Sequence, residues 1–340
     1  MNNIFKRESN PAKTLRKILK TYGLSIEIVN AFYGPTYNRF EIRPTKGTRI
    51  KHIENILTEL EIFMHADGVR LVYPIPGKDY IVLEMGRKDR ETVLFEDVDL
   101  SSLSGSPAAF LAGIDAAGNV VHDDLRNCGP ILVQGLSGSG KTVFAQNIIK
   151  SITENASPQD IKFAVIDLKN EYSFLDGSPF LLGAITTDYS DAVNTIMFFS
   201  EEASRRANLI KKAGVGDFLE YNALDNVKDT AGLQEIVLII DSIWPIFGEY
   251  DEEAVNSDIH RLAILERTTG IHLLLIDQFH TPGFIRASMH SSACFPYSVE
   301  CGIKDTDKLL GNGDFLYKTG LSEPVRLQVP APLNLNSRIC

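Results

Sequence analysis

Gly135-Leu136-Ser137-Gly138-Ser139-Gly140-Lys141-Thr142, entered from the apolar run Ile131-Leu132-Val133, is the stretch that decides the fold. Its spacing is G-x-x-x-x-G-K-[ST], and it stands between a predicted strand and a predicted helix, the setting a phosphate-binding loop requires. Gly135, Gly138 and Gly140 let the backbone turn its N–H groups inward around a triphosphate. Lys141 is placed to reach the β- and γ-phosphates, and Thr142 to ligate Mg²⁺. The helix that begins at Thr142 points its positive end at the same anion. The predicted nucleotide site runs from Gly135 through Leu136, Ser137, Gly138, Ser139, Gly140, Lys141 and Thr142 to Val143. The competing reading is a Gly/Ser-rich surface turn.

Downstream, strands are predicted at 131–135, 161–167, 235–241 and 271–277, with helices at 142–153, 190–212 and 256–268. Apolar strands alternating with helices imply a mostly parallel sheet covered on both faces, with ligands at the carboxyl ends of its strands. Upstream, residues 10–22 read as a short basic amphipathic helix, with Pro11 in its first turn and Gly23 at its end. Residues 24–31 and 37–44 form a predicted hairpin around Gly34-Pro35. Residues 49–64 have helical periodicity, and strands at 69–75 and 80–85 flank Pro76-Gly77-Lys78-Asp79. A second hairpin, Phe110–Ile114 with Val120–His122, leads into the loop strand. The expected organisation is a basic N-terminal helix over 1–23, a small α+β domain over 24–100, and an α/β nucleotide domain over 101–340.

The chain has 340 residues and a net charge of −10, which argues against indiscriminate nucleic-acid binding. The charge is uneven: the first 51 residues hold eleven Lys or Arg against three Asp or Glu. Such a stretch can meet phosphates, or be a solvated helix face. No apolar run reaches the roughly 18 residues a membrane span needs, and the N-terminus lacks an apolar signal region, so a cytoplasmic protein without membrane partners is expected. Cys128, Cys294, Cys301 and Cys340 show no paired metal-ligand spacing and read as reduced structural thiols. The seven histidines show none either.

The chain resembles the motor domains of FtsK/SpoIIIE-type DNA translocases over roughly residues 12–330. In the small domain the resemblance rests on Gly34-Pro35, Arg39-Phe40-Glu41, Pro44, Gly47, Val69-Arg70-Leu71-Val72, Ile75-Pro76-Gly77-Lys78 and Arg90-Glu91-Thr92-Val93. Beyond it come Gly113-Ile114-Asp115, the phosphate loop and Val165-Ile166-Asp167-Leu168-Lys169. Ser204-Arg205-Arg206, Gly214-Val215, Glu220-Tyr221-Asn222, Gly270-Ile271-His272 and Leu309-Leu310-Gly311-Asn312-Gly313-Asp314 complete it. The resemblance implies a RecA-like P-loop domain, ATP and Mg²⁺ as ligands, a hexameric ring of identical subunits, and double-stranded DNA as partner. The reading expects neither the membrane region nor the winged-helix module of larger members. The expectation is therefore a free-standing motor core of a phage or other mobile element.

Departures from the family pattern matter for chemistry. The second acidic motif, four apolar residues then Asp-Glu, here reads Ile236-Val237-Leu238-Ile239-Ile240-Asp241-Ser242. Asp241 keeps the role of ordering the Mg²⁺ shell. Ser242 stands where the carboxylate that activates water belongs, and a hydroxyl is a poor general base. After the next strand the family's Thr-Gln-Arg-Pro is replaced by Asp277-Gln278-Phe279-His280. Gln278 keeps its place as a γ-phosphate sensor. Asp277 is a candidate substitute for the lost carboxylate, or else the cap of a turn. Arg267 is the candidate arginine finger acting on a neighbouring subunit, or a surface arginine facing Asp258 or Glu266; Arg205 and Arg206 are the alternatives. Lys211 and Lys212 are the basic candidates for a DNA-lined pore, whereas Gly248-Glu249-Tyr250-Asp251-Glu252-Glu253 is acidic and repels phosphates.

Three functions follow. The first is an ATP-driven translocase of double-stranded DNA with weakened hydrolysis. The second is a nucleotide-binding subunit that hydrolyses little and assembles with an active ATPase or DNA-processing partner. The third, protein transport, is opposed by the lack of membrane segments and of tandem motor copies.

Overall fold

The computed structural model describes residues 11–45, 47–103, 105–228, 230, 232–242, 252–278, 281–298 and 303–331. The acidic stretch Gly248–Asp251, Phe279, His280 and Val299–Gly302 lie outside the described residues. The chain divides into two compact units. One runs to Val93 and adds 114–119 and 308–310; the other comprises 94–113, 120–307 and 311–340.

In the first unit, α1 (Pro11–Thr21) precedes the hairpin β1 (Ile26–Tyr33) and β2 (Tyr37–Pro44), then α2 (Ile50–Glu54), α3 (Leu57–Phe63), β3 (Val69–Val72) and β4 (Ile81–Gly86). The strands form an antiparallel sheet in the order β1-β2-β4-β3. Leu15 and Leu19 of α1 are fully buried with Phe40, Ile42, Ile53, Leu60 and Leu83, so α1 belongs to this core. Its other face shows Lys13, Arg16, Lys17 and Lys20 to solvent, without an acidic residue. The periodicity over 49–64 spans two helices, because Ile53, Ile56 and Leu60 all reach the core although the backbone turns at Asn55-Ile56.

The second unit contains β5 (Ala109–Ile114), β6 (Val120–Asp124), α4 (Leu125–Cys128), β7 (Ile131–Gln134), α5 (Lys141–Asn155), β8 (Ile161–Asp167), α6 (Tyr189–Ala213) and α7 (Phe218–Asn222). It continues through β9 (Glu235–Asp241), α8 (Glu252–Thr269), β10 (Ile271–Asp277), α9 (Gly283–Ser288), β11 (Ser291–Cys294), β12 (Asp314–Thr319) and β13 (Val325–Gln328). The nine-stranded sheet has the order β6-β5-β13-β12-β11-β7-β10-β9-β8. Strands β11, β7, β10, β9 and β8 pair in parallel; β12 joins β11 antiparallel, as β13 does β12. Alternate residues explain the unbroken apolar runs. Val237 and Ile239 of β9 face a core with Phe144, Ile148 and Ile152 of α5, while Ile236, Leu238 and Ile240 face Ile196, Phe199, Ile259 and Leu262 of α6 and α8.

Three strands after residue 277 were not expected from sequence. Their register places two charges in the interior: Asp314 of β12 and Arg326 of β13 form a fully buried bidentate pair, at 2.9 and 2.7 Å. Cys128 is a buried free thiol. Cys294 is disulfide-bonded, which corrects the expectation of reduced thiols throughout.

A second buried network closes the sheet where β9 and β10 begin. His272 meets Glu235 at 2.8 Å through Nε2 and Glu266 at 3.1 Å through Nδ1, and Arg126 forks onto Glu235. Burial pulls the imidazole down, but the two carboxylates outweigh it and raise His272 to about 9. The folded value lies above the ordinary 6.5, so the stabilisation is full below that pH and is lost as pH rises through about 9. Thermal melting is expected to fall between about pH 7 and 9.5, and His272→Asn should flatten that slope.

Candidate functional site

The site is built where β7, between β11 and β10 in the parallel part of the sheet, delivers the chain into α5. Gly135 has φ +154° and Gly140 φ +115°; a Cβ at Gly135 would lie 2.5 Å from Cβ of Phe295, and one at Gly140 2.8 Å from the backbone of Gly313. Both positions therefore exclude any side chain. Phe295 N donates to Gln134 O at 2.8 Å and Gly313 N to Ser139 O at 2.8 Å, so the segments after β11 and before β12 brace the loop. These two supports were not singled out from sequence. The Gly311-Asn312-Gly313-Asp314 pattern was the available signal.

Lys141 Nζ donates to Gly135 O and Leu136 O, each at 2.7 Å. Burial, then the neighbouring Lys169, lowers its pKa to about 8. The ammonium is thus held inside the loop, short of the hydration an exposed lysine enjoys, and an incoming phosphate is its natural counter-charge. A cleft of about 400 Å³ opens over it, lined by Ser137, Gly138, Gly140, Lys141, Thr142, Val143, Gln146, Lys169, Glu171 and Gln278. Six of the loop residues, from Ser137 to Val143 without Ser139, thus line one cleft with Gln278, which comes from the carboxyl end of β10.

The acidic residues divide differently from the expectation. Asp241 is completely buried at the end of β9 and is spoken for: Oδ1 accepts from Lys169 Nζ and Oδ2 from the Tyr172 hydroxyl, each at 3.1 Å. Burial raises its pKa, against the pull of Lys169. Ser242 is also buried and is absent from the cleft lining. Asp277 is completely buried, with Oδ1 accepting from Gln278 N at 2.7 Å and Oδ2 from the Thr281 hydroxyl at 2.8 Å. Both oxygens serve the turn after β10, the arrangement of the alternative reading of Asp277 as a turn cap. The carboxylate that does line the cleft is Glu171, which accepts from the Thr142 hydroxyl. It was not singled out from sequence.

Mg²⁺ in phosphate sites takes one or two protein oxygens plus substrate phosphates and water. The Thr142 hydroxyl and the Asp241 carboxylate are hard oxygen donors of that kind, once Asp241 is released from Lys169. No group of three or more His, Cys, Asp and Glu able to enclose a metal occurs among the described residues.

The remaining candidates lie at the opposite end of the strands. Arg206 is buried and donates to Gln234 O at 2.7 Å and Thr269 O at 3.0 Å, the residues just before β9 and just before Gly270-β10. It is a structural arginine, which removes it as a finger. Arg205 is exposed and forked onto Glu202. Arg267 is exposed on the last turn of α8 and donates to Asn127 O, with neither Asp258 nor Glu266 as its hydrogen-bond partner. That end of the strands faces away from the chain's own cleft. Lys211 and Lys212 are exposed in the last turn of α6, five and six residues beyond Arg206 and so at this same end. No helix among the described residues is long and apolar enough to cross a membrane.

A model of the FtsK/SpoIIIE family matches residues 102–282, and one of the FtsK alpha domain matches residues 5–86. DNA translocase FtsK of Caldanaerobacter subterraneus subsp. tengcongensis is 32% identical over 332 residues, covering 93% of this chain and 46% of that protein. DNA translocase SftA of Bacillus subtilis is 31% identical over 326 residues, covering 91% of this chain and 34% of that protein. The chain therefore spans less than half the length of these relatives. Among solved structures, the pCW3 conjugation coupling protein TcpA, in its monomer form with ATPγS, superposes with a TM-score of 0.62 at 17% identity over 94% of both chains. The cytoplasmic domain of the Thermomonospora curvata type VII secretion ATPase EccC gives 0.58 at 17% identity over 70% of this chain and 30% of that one. At such identities the likeness is one of fold.

Proposed function

The chain belongs to the FtsK/SpoIIIE family, and from that premise we propose that it is a motor that binds ATP with Mg²⁺ at Gly135–Val143, hydrolyses it, and moves double-stranded DNA as a ring of identical subunits. The observation that carries the reading is the formed phosphate loop. Lys141 is held under an open cleft, Thr142 stands on the rim, and Gly135 and Gly140 are packed so tightly that only glycine fits. Relatives named DNA translocases supply the direction of the work. Bound Mg²⁺ would neutralise phosphate charge, held by Thr142 and Asp241. Lys141 binds the β- and γ-phosphates, Gln278 senses the γ-phosphate, and Arg267 reaches the nucleotide of the adjacent subunit. Lys211 and Lys212 are the DNA-facing cations.

Ser242 favours a second reading, in which the protein holds ATP between subunits with little turnover beside an active partner. Nucleotide bound at a subunit boundary stabilises a ring by mass action without being consumed. ATP turnover of the purified chain separates the two, measured beside Ser242→Glu. The motor reading expects turnover in the unmodified protein that duplex DNA stimulates. Tight ATP binding without turnover, with hydrolysis appearing only in Ser242→Glu, would establish the holding role instead.

A further inference from the structure

We propose that Glu171, not the residue after Asp241, supplies the carboxylate that holds the attacking water and takes its proton. The inference rests on the hydrolytic reading above and adds the identity of its base. It begins with register: β8 and β9 pair so that Asp167 stands opposite Asp241. The segment 168–172 therefore leaves the sheet beside the buried aspartate and runs along the cleft.

That segment is fixed at several points. Asp167 accepts from Lys169 N at 3.2 Å and from Tyr172 N at 2.8 Å. Gln146 Nε2, from α5, donates to Glu171 O at 3.3 Å. The Tyr172 hydroxyl is tied to Asp241, and the Thr142 hydroxyl donates to the Glu171 carboxylate itself. A residue tethered on both sides and through its own carbonyl presents its side chain at small entropic cost, as a catalytic carboxylate must.

Among the described residues the alternatives are used up. Asp241 and Asp277 have no exposed surface, and each has both oxygens engaged. Ser242 is a buried hydroxyl. Glu171 is exposed, and it is the one carboxylate among the ten described residues lining the cleft. It stands on the β8 flank of the cleft and Gln278 on the β10 flank, so a water over the γ-phosphate has an acceptor on one side and an amide on the other. In the step, the water oxygen forms a bond to the γ-phosphorus, and the bond from that phosphorus to the β–γ bridging oxygen breaks. ADP leaves with that electron pair, and the proton passes to Glu171 and then to solvent.

The test uses the full chain, with Glu171→Gln, ATP binding by calorimetry, and analysis of the nucleotide recovered from the protein. Glutamine still accepts the Thr142 hydrogen bond but cannot take the proton. The expected result is turnover lowered about 10²-fold, ATP affinity within about threefold of wild type, and bound nucleotide recovered as ATP rather than ADP. Turnover within threefold of an active wild type would overturn the assignment. So would loss of ATP affinity in step with turnover, which would mark Glu171 as a shaper of the loop. A wild type that binds ATP and never cleaves it would sink the hydrolytic reading itself, and this inference with it. Melting temperature checks that the exposed substitution leaves the fold intact.

Discussion

Replacing Lys141 with alanine is expected to lower kcat/KM for ATP by at least about 10³-fold and to remove the thermal stabilisation that ATP gives the wild type. The argument starts from the loop. Lys141 is the cation inside it, with the ammonium between Gly135 O and Leu136 O. Charge-assisted hydrogen bonds to phosphate are about twice as strong as neutral ones, and they strengthen where charge builds up in the transition state. Among the described residues no other cation takes the same position: Lys169 lies on the cleft wall, drawn to Asp241. The fold should survive, because α5 is held by Phe144, Ile148, Ile149 and Ile152 rather than by the lysine. A variant that melts like wild type without nucleotide, yet gains nothing from ATP, is the predicted outcome. Retained turnover would place the nucleotide elsewhere.

The second large effect is on stability. Asp314→Ala is expected to cost about 3–5 kcal/mol, because it strips a buried guanidinium of the carboxylate that matches its charge. Asp314 and Arg326 have no exposed side-chain surface and meet through two hydrogen bonds. In a unit of this size that corresponds to a drop in melting temperature on the order of 10 °C. Exchanging both partners for apolar residues of similar volume, Asp314→Leu with Arg326→Met, should cost much less than the single change, because neither member of the pair then leaves an unmatched charge in the interior. The pair also joins β12 to β13 directly beyond Gly313, so the single variant should weaken ATP binding as well.

That pair also explains where the sequence stopped being readable. Strands β8, β9 and β10 were legible to the residue because both faces are buried, which leaves an uninterrupted apolar run. The phosphate loop was legible because its chemistry fixes its spacing. Strands β12 and β13 carry Asp314 and Arg326 in the interior, and a charge in a strand hides it from any hydropathy pattern. Ser291-Ser292-Ala293-Cys294 lacks the β-branched and aromatic residues that mark a strand. Around the phosphate loop, motif position alone left open roles on which packing bears. Asp277 sits where a base would, but Thr281 four residues on takes up its carboxylate. Arg206 is charged and stands beside an exposed arginine, yet it caps two backbone carbonyls in the interior. Glu171 belongs to no motif; only the pairing of β8 with β9 brings it to the cleft.

The central claim is that ATP hydrolysis drives movement along duplex DNA. Its most direct test is displacement of a third strand from a triplex on a long linear duplex by the purified chain with ATP and Mg²⁺. The account predicts displacement that requires hydrolysable ATP, stops with Lys141→Ala, and needs duplex on the side from which the motor arrives. Turnover of ATP that is indifferent to duplex DNA, with the third strand left in place, would contradict it.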